Sequence, residues 1–372
     1  MILKKLTLQN FRNYKKIEIP FSDNINIFFG NNAQGKTNIL EAIYILAITK
    51  SYRTTIDSEI INFNAVNTKI IGNLKKNDLL VKLEVLVSNK EKKIKKNNKV
   101  VRKFSDYISN LNVVFFNPDE LEIIKGSPSD RRKFLNIEIG QLDNTYINIL
   151  NNYNALLKNR NEYLKSLYLK KTIDKKYLEV ITDKLIDFSI KIYEFRKKFV
   201  LDINKELISI CKELLEKDIK IKYNSFIDDL NDKNVDIKKI LKHEFDNIYE
   251  KEIRYGNTLI GPHKDDLIFY IDEREIKKYG SQGQQRAVIL SLKLAELNIF
   301  KKNMGEYPIF LLDDVLSELD EAKKNILLKK INKNIQTIIT TTNLDNISDK
   351  ILKKANIFYV ENATLKQTDK VV

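Results

Sequence analysis

The stretch that decides the fold is FFGNNAQGKTNILEAI, residues 28–43. Its centre, GNNAQGKT at residues 30–37, matches the pattern G-x-x-x-x-G-K-[ST]. The two glycines let the backbone point several N–H groups into one concavity, and the dipole of a following helix acts on the same spot. The lysine can reach a β- or γ-phosphate, and the threonine hydroxyl can bind Mg²⁺. The stretch therefore predicts a loop that holds the phosphates of a nucleotide.

The flanks of this loop support the same interpretation. An apolar run typical of a buried strand precedes it, and apolar residues at helical spacing follow it. The residues that form these flanks are Ile25, Ile27, Phe28 and Phe29 before the loop, and Ile39, Leu40, Ile43, Leu46 and Ala47 after it. The residues predicted to bind the nucleotide are Gly30, Asn31, Asn32, Ala33, Gln34, Gly35, Lys36 and Thr37.

Composition limits the possible partners. The chain has 372 residues, enough for two or three domains, and its 65 Lys and Arg against 50 Asp and Glu leave a net charge of +15. This excess favours a polyanion, nucleic acid or an acidic membrane face, although a general bias toward Lys, Asn and Ile explains it equally well. No secretory segment or membrane-length apolar run is visible, and Cys211 has no cysteine to pair with. We therefore expect a cytoplasmic protein.

Between the two ends of the chain the pattern becomes helical. Seven apolar residues recur at alternating spacings of three and four: Leu178, Ile181, Leu185, Phe188, Ile192, Phe195 and Phe199. With a helix before them and a turn at KKTIDKK, residues 170–176, they predict an αα-hairpin. This hairpin is either the packing face of a globular lobe or a protruding arm. Earlier, LLVKLEVLVS at residues 79–88 predicts a strand, and the lysine-rich residues 91–104 predict a hairpin or loop.

A second acidic element completes the predicted site. In PIFLLDDVLSELD, residues 308–320, an apolar strand would place Asp313 at its carboxyl edge, where ligands of α/β sheets bind. Asp313 would then hold Mg²⁺ together with Thr37, and Asp314 would activate the attacking water. The alternative is an ordinary strand end with acids facing solvent.

The segment GSQGQQRAVILSLKLAEL, residues 280–297, predicts a second helix start suited to an anion. Two interpretations remain open on spacing alone. In a dimer, Ser281 and Gly283 of one copy would close on the nucleotide of the other. In the alternative, Ser281 is an ordinary N-cap.

In their order along the chain, GNNAQGKT (30–37), SQGQQ (281–285) and LLDDVLSELD (311–320) resemble the motifs of the ABC-type ATPase heads of the SMC kind. More narrowly the chain resembles the RecF family of bacterial DNA replication and repair proteins. The blocks that carry the narrower resemblance are NFRNY (10–14), NPDELEIIKGSPSDRRKFLN (117–136), LIGPHKDDL (259–267) and SQGQQRAVILSLKLAEL (281–297). The resemblance implies the α/β class: an ABC-type P-loop ATPase head with mixed sheets and an inserted helical lobe. The implied division is 1–135 and 251–372 for the two parts of the head and 136–250 for the lobe.

The resemblance also implies a head-to-tail dimer with two ATP molecules at its interface. It assigns Lys36 and Asp314 to catalysis and Thr37 and Asp313 to Mg²⁺. Further nucleotide-binding residues would be Arg12, Ser281, Gly283, Gln284 and, at the dimer seam, Asp320. Asp314 stands where most ABC ATPases carry glutamate, which suggests slow hydrolysis. Asn136 replaces the usual aspartate, Thr341 or Thr342 would have to replace a switch histidine, and no Q-loop glutamine can be placed.

The implied function is ATP-dependent binding to DNA at single-strand gaps or junctions. It includes recombinase loading with RecO- and RecR-like partners, support of the SOS response, and release by a weak, DNA-stimulated ATPase. The alternatives are an ATPase subunit that drives a membrane transporter and an SMC-class organiser, for which the predicted arm is too short. Arg131 and Arg132 either pair with acids within the chain or contact DNA, and His263 belongs either to a structural turn or to a second metal site.

Overall fold

The computed structural model describes residues 1–169, 174–214, 217–227, 236–331, 334–345 and 347–368. The chain divides into two compact units. The first comprises Met1–Leu121, Glu206–Lys217 and Gln282–Val372, and the second comprises Glu122–Lys205 and Asp218–Ser281. Both boundaries predicted from the sequence, 135/136 and 250/251, fall inside the second unit, because continuous helices cross them.

The elements of the described residues are as follows. The strands are β1 Ile2–Phe11, β2 Tyr14–Pro20, β3 Ile25–Phe29, β4 Asn67–Lys76, β5 Leu79–Ser88, β6 Lys92–Lys96, β7 Lys99–Val100, β8 Val113–Phe116, β9 Ile219–Asn224, β10 Asp266–Ile271, β11 Arg274–Glu275, β12 Ile309–Asp313, β13 Thr337–Thr341, β14 Asn356–Glu361 and β15 Thr364–Gln367. The helices are α1 Lys36–Ile48, α2 Phe104–Tyr107, α3 Glu122–Lys125, α4 Pro128–Leu142, α5 Asn144–Tyr168, α6 Lys175–Leu214, α7 Ile237–Asn247, α8 Tyr249–Tyr255, α9 Ile276–Tyr279, α10 Gln282–Met304, α11 Glu321–Lys330 and α12 Asp349–Leu352. None of the described helices is both long and apolar enough to cross a membrane.

A six-stranded sheet in the first unit carries the predicted loop. Its order is β15-β14-β3-β13-β12-β8, and all neighbours are parallel except the β14–β15 hairpin. The strand before the loop, β3, lies between β13 and β14, so its apolar run is buried, as expected for a central parallel strand. Because β3 and β12 run in the same direction, the loop after β3 and Asp313, the last residue of β12, lie at the same edge of the sheet.

The second sheet of the first unit is antiparallel, with the order β2-β1-β4-β5-β6-β7. The predicted strand at residues 79–88 is confirmed as β5, and the lysine-rich hairpin is β6 and β7, joined through Asn97 and Asn98. Both asparagines have positive φ, which this residue type tolerates in tight hairpin turns. One face of the sheet buries apolar residues: Leu6, Leu8, Ile70, Leu74, Leu83, Val85 and Ile94.

In the second unit α5 and α6 run antiparallel, as the predicted hairpin requires. Near one end the rings of Tyr163 and Tyr177 lie 4.8 Å apart, and near the other those of Tyr146 and Phe195 lie 5.5 Å apart. The predicted seam is buried except at Phe188 and Phe195, which are half-buried. The buried stripe also includes Ile186, Tyr193 and Val200, so it is wider than a coiled-coil seam. Residues 170–173 of the predicted turn lie outside the described residues.

Paired arginines occupy the interior of the second unit. Arg131, 5% exposed, makes two hydrogen bonds to the carboxylate of Asp266 at 2.5 and 2.9 Å, so its predicted pairing with an acid is confirmed. Arg132 instead donates to the carbonyl of Asp265 at 2.8 Å. Arg196 donates to the amide oxygen of Asn136 at 3.1 Å and pairs with Asp265 at 3.4 Å. Such pairing is what burial of a guanidinium demands.

His263 is bonded through both ring nitrogens. Its Nε2 lies 3.1 Å from the carbonyl of Thr258 and must carry the proton, so Nδ1 accepts the hydroxyl of Tyr153 at 2.5 Å. Burial lowers the pKa of His263 to about 4, so the ring is neutral at pH 7. These contacts favour the structural interpretation of this histidine.

Candidate nucleotide site

The loop between β3 and α1 has the backbone that its glycines predict. Gly30 and Gly35 have φ of +148° and +111°, and Ala33 between them has φ of +64°. A Cβ at Gly30 would lie 2.4 Å from the carbonyl oxygen of Val360, so a side chain cannot be accommodated there. Asn31, Asn32 and Ala33 are exposed, which leaves this part of the loop open to a ligand.

The side chain of Lys36, the first residue of α1, contacts this loop. Its Nζ donates to the carbonyls of Gly30 at 2.5 Å and Asn31 at 2.7 Å. Desolvation lowers the pKa of Lys36, and the nearby charges of Asp314 and Asp313 oppose that shift. The chain therefore holds a cation where the phosphates of a nucleotide would lie.

The loop is also held from outside. Gln34, predicted to bind nucleotide, accepts hydrogen bonds from the turn between β14 and β15: its side-chain oxygen from Asn362 N at 2.6 Å, and its carbonyl from Ala363 N at 3.2 Å. On the other side Tyr14 donates its hydroxyl to the carbonyl of Gly35 at 3.2 Å. These contacts restrict the loop before any ligand arrives, which lowers the entropy cost of binding.

Three hydroxyl groups surround the carboxylate of Asp313, the last residue of β12. Thr37 Oγ1 donates to Oδ1 at 3.0 Å, Thr340 Oγ1 donates to the same oxygen at 2.6 Å, and the hydroxyl of Tyr52 lies 3.5 Å from Oδ2. Burial raises the pKa of Asp313, and these three hydrogen bonds oppose that shift. The structure therefore brings together the two residues predicted to bind the metal, Thr37 and Asp313.

Asp314 follows in a left-handed conformation, with φ of 53°. Its backbone N–H donates to the carbonyl of Thr340 at 3.2 Å and to its hydroxyl at 3.1 Å. Side-chain Oδ1 is buried, yet it has no hydrogen-bond partner among the described residues. Burial also raises the pKa of Asp314, an effect that Lys36 opposes. A carboxylate oxygen without a partner and with raised proton affinity is suited to accept a hydrogen bond from water.

These residues fit a magnesium nucleotide. The loop supplies backbone N–H groups and a cation, and Thr37 and Asp313 supply the hard oxygen ligands that Mg²⁺ prefers. The unpartnered oxygen of Asp314 is the clearest sign that the site is built for a further hydrogen-bonding group.

The remaining predicted residues lie on the surface. Ser281 directly precedes α10, and both Ser281 and Gly283 are exposed, with Gln284 half-buried. A Cβ at Gly283 would meet no described atom within 4 Å. Asp320 is exposed and caps α11 by accepting from Lys323 N at 2.9 Å, and the side chain of Lys323 lowers its pKa. A role in trans stays a prediction for all four.

Arg12 is engaged within the chain. It donates to both carboxylate oxygens of Glu41 at 3.0 and 2.6 Å, and to the carbonyl of Glu59 at 2.8 Å. Glu41 is fully buried in α1 and also pairs with Arg53 at 3.3 Å. Arg12 therefore braces the helix that follows the loop, and direct contact of Arg12 with nucleotide stays a prediction.

Sequence reasoning missed Tyr52 and Thr340. From the segment TIITTT at residues 337–342, Thr341 or Thr342 was predicted to replace the switch histidine. In the structure Thr341 donates to the carbonyl of Asn343 at 2.8 Å, whereas Thr340 is the threonine that contacts both acids. The usable signal was the register of two parallel strands, which pairs Asp313 with Thr340.

Known proteins resemble the chain over nearly its full length. The model of the RecF/RecN/SMC N terminal domain matches residues 2–366. DNA replication and repair protein RecF of Listeria monocytogenes is 41% identical over 371 residues, 99% of this chain and 100% of the relative. The RecF of Bacillus subtilis (strain 168) is 40% identical over 370 residues, 98% of this chain and 100% of the relative.

Solved structures agree with these relatives. A structure of the recombination mediator protein RecF with ATP, in the RecFOR pathway, has a TM-score of 0.91 and 31% identity, covering 99% of this chain and 98% of that one. An SMC head bound to the C-winged helix domain of ScpA has a TM-score of 0.57 at 16% identity, a likeness of fold alone. The predicted ABC-type head is thus confirmed, and the chain belongs to the RecF family of DNA replication and repair proteins.

Proposed function

We propose that this protein is an ATP-gated DNA-binding switch of recombinational repair and replication restart. The observation that carries the proposal is the arrangement of Lys36, Thr37, Asp313 and Asp314 around one loop at the carboxyl edge of a parallel sheet. Family membership supports the DNA side, because the relatives are DNA replication and repair proteins. It also favours this function over the alternative of a transport ATPase subunit.

Each side chain of the site has its own proposed role in binding or hydrolysing the nucleotide. Lys36 and the N–H groups of the loop bind the phosphates, while Thr37 and Asp313 hold Mg²⁺. An ion held there would neutralise charge on the phosphate oxygens. Asp314 orients the attacking water and accepts its proton. An aspartate reaches less far than a glutamate, which agrees with slow hydrolysis that times the release of DNA.

Closure would come from a second copy. Ser281, Gly283 and Gln284 would complete the nucleotide site in trans, with Asp320 at the seam. The exposure of Ser281 and Gly283, and the open space beside Gly283, support this role. The dimer would act at single-strand gaps or junctions, with RecO- and RecR-like partners that load recombinase and support the SOS response. A cytoplasmic location belongs to the same proposal.

Binding to a gapped duplex, with and without ATP across a salt series, tests this function. We expect affinity to rise with ATP and to fall steeply with salt, because each neutralised phosphate releases counterions. Affinity that is the same with and without ATP would contradict the gating and would point to nucleotide control of a protein partner.

A subtler prediction concerns Thr340. Thr340→Val keeps the shape of the residue but removes the hydroxyl that bonds Asp313 and accepts from Asp314 N. We expect the Mg²⁺ concentration for half-maximal binding of a fluorescent ATP analogue to rise several-fold, at a stability cost of about 1–2 kcal/mol. Thr340→Ser is the matched control, because it restores the hydroxyl. Equal Mg²⁺ titrations for the two variants would remove Thr340 from the site.

A further inference from the structure

The outer face of the antiparallel sheet is strongly basic. Residues paired across neighbouring strands share a face, so the strand register defines it. One row across five strands reads Lys16, Gln9, Lys69, Leu86, Lys93. The next rows read Glu18, Thr7, Ile71, Glu84, Lys95, and Pro20, Lys5, Asn73, Lys82. These residues, with Lys75, are called the lysine face.

The lysines of this face outnumber its acids. Its seven lysines stand against two acids, Glu18 and Glu84. Glu84 is only 4% exposed, because Lys69 at 3.3 Å and Lys82 at 2.9 Å lie over it. The lysine side chains remain accessible: Lys69 is 32% and Lys93 is 52% exposed. Lys5 pairs with the exposed Glu18 at 2.6 Å. Lys75 and Lys93 pair with the exposed acids Asp78 and Glu91 in flanking turns, at 2.8 and 2.5 Å. The face therefore presents an excess of ammonium groups over carboxylates to solvent.

We propose that the lysine face binds the phosphate backbone of duplex DNA. The inference rests on the proposed function and adds to it the surface and the form of DNA. Lys16, Lys69 and Lys93 lie on alternate strands, and strands are about 4.8 Å apart, so the three are spaced about 10 Å apart. That spacing is close to the width of the major groove, about 12 Å, which separates two phosphate backbones.

The chemistry of the face selects duplex over single-stranded DNA. Proteins that bind single strands stack bases on exposed aromatic rings. Among the strand residues of the lysine face no exposed side chain is aromatic; the accessible groups are lysines, amides, short aliphatic chains and the carboxylate of Glu18. A surface of this kind binds backbone charge and does not read bases.

The test variant is Lys16→Gln, Lys93→Gln, Lys95→Gln. None of these lysines bonds a buried acid in the described residues, so the fold should tolerate the change. The matched control is Lys158→Gln, Lys205→Gln, Lys239→Gln: helical lysines that are 78%, 67% and 85% exposed, and that lose the same charge. Both variants are full-length chains, titrated with a blunt duplex and with a single strand across a salt series, with ATP present.

The expected result is a smaller salt dependence for the test variant. On duplex its slope of log K against log salt should fall in magnitude by up to about 2.7, since each lost contact with B-DNA removes about 0.9. The control variant should keep the wild-type slope, and single-strand binding should change much less than duplex binding. Equal slopes for the two variants on duplex, or an equal loss on single strands, would overturn the proposal.

Two further measurements separate the outcomes. Vesicles that contain phosphatidylserine test for an acidic membrane, and loss of vesicle binding with unchanged duplex binding would also overturn the proposal. ATP-dependent dimerisation of the test variant should equal that of the wild type. If the wild type itself does not respond to ATP, the gating function fails while the duplex slopes still decide the role of the lysine face.

Discussion

Lys36→Ala is expected to abolish ATP-dependent dimerisation and, with it, the ATP-dependent part of DNA binding. The substitution removes the cation that the loop holds against the carbonyls of Gly30 and Asn31. Without this cation the phosphates lose the charge that offsets their own in a partly buried site, where electrostatic interactions are stronger than in water. Dimerisation should be measured by light scattering with and without ATP and Mg²⁺.

The control for this experiment is Lys50→Ala. Lys50 is exposed just beyond the end of α1, and its substitution removes the same charge at a position outside the loop. The Lys50 variant should dimerise as the wild type does. Melting temperatures without nucleotide should confirm that both variants are folded, while ATP should stabilise only the control and the wild type. Unchanged dimerisation of the Lys36 variant would contradict the proposal that ATP gates DNA binding.

Asp314→Asn is expected to have the opposite consequence: a dimer that forms but does not release. An amide cannot accept the proton of the attacking water, so ATP turnover should fall about 10²- to 10⁴-fold. Asparagine tolerates the left-handed backbone at this position, so the turn after β12 should persist. ATP binding should be retained, and the lifetime of the DNA complex, measured after a competitor chase, should lengthen in proportion to the slower turnover.

Two other variants serve as comparisons for Asp314→Asn. Asp23→Asn removes an exposed carboxylate that pairs with Lys4 and should leave turnover unchanged. Asp313→Asn removes a predicted Mg²⁺ ligand and should weaken nucleotide binding itself, unlike Asp314→Asn. A normal DNA lifetime in an Asp314 variant with slow turnover would show that hydrolysis does not time release.

The parts of the site that were predictable are local. The loop and the acid at the end of β12 depend on short motifs, and short motifs carry their own backbone requirements. Tyr52, Thr340 and the contacts of Gln34 with the β14–β15 turn depend on which distant strands become neighbours. Parallel register is set by tertiary packing, so nothing near Asp313 in the sequence indicates Thr340.

The fold shows the same division between local and distant information. Apolar periodicity identified β5 and the long helix α6, since both patterns persist over many residues. The burial of Arg160 and Arg196 could not be predicted from this periodicity. A charged residue on an apolar stripe is buried only where an acid elsewhere in the chain pairs with it. The boundaries of the two units could not be predicted from the sequence either, since helices continue across residues 135/136 and 250/251.

The position of β3 also has a consequence for how the protein is made. This strand, Ile25–Phe29, is synthesised long before its neighbours in the sheet, β13 and β14, which begin at Thr337 and Asn356. At about 5–20 residues per second, the nascent chain waits tens of seconds before β3 can be enclosed and Gln34 can meet its turn. A nascent chain without β13 and β14 therefore carries the complete phosphate-binding motif but lacks the strands that enclose it, and the loop can take its final shape only after both have been synthesised.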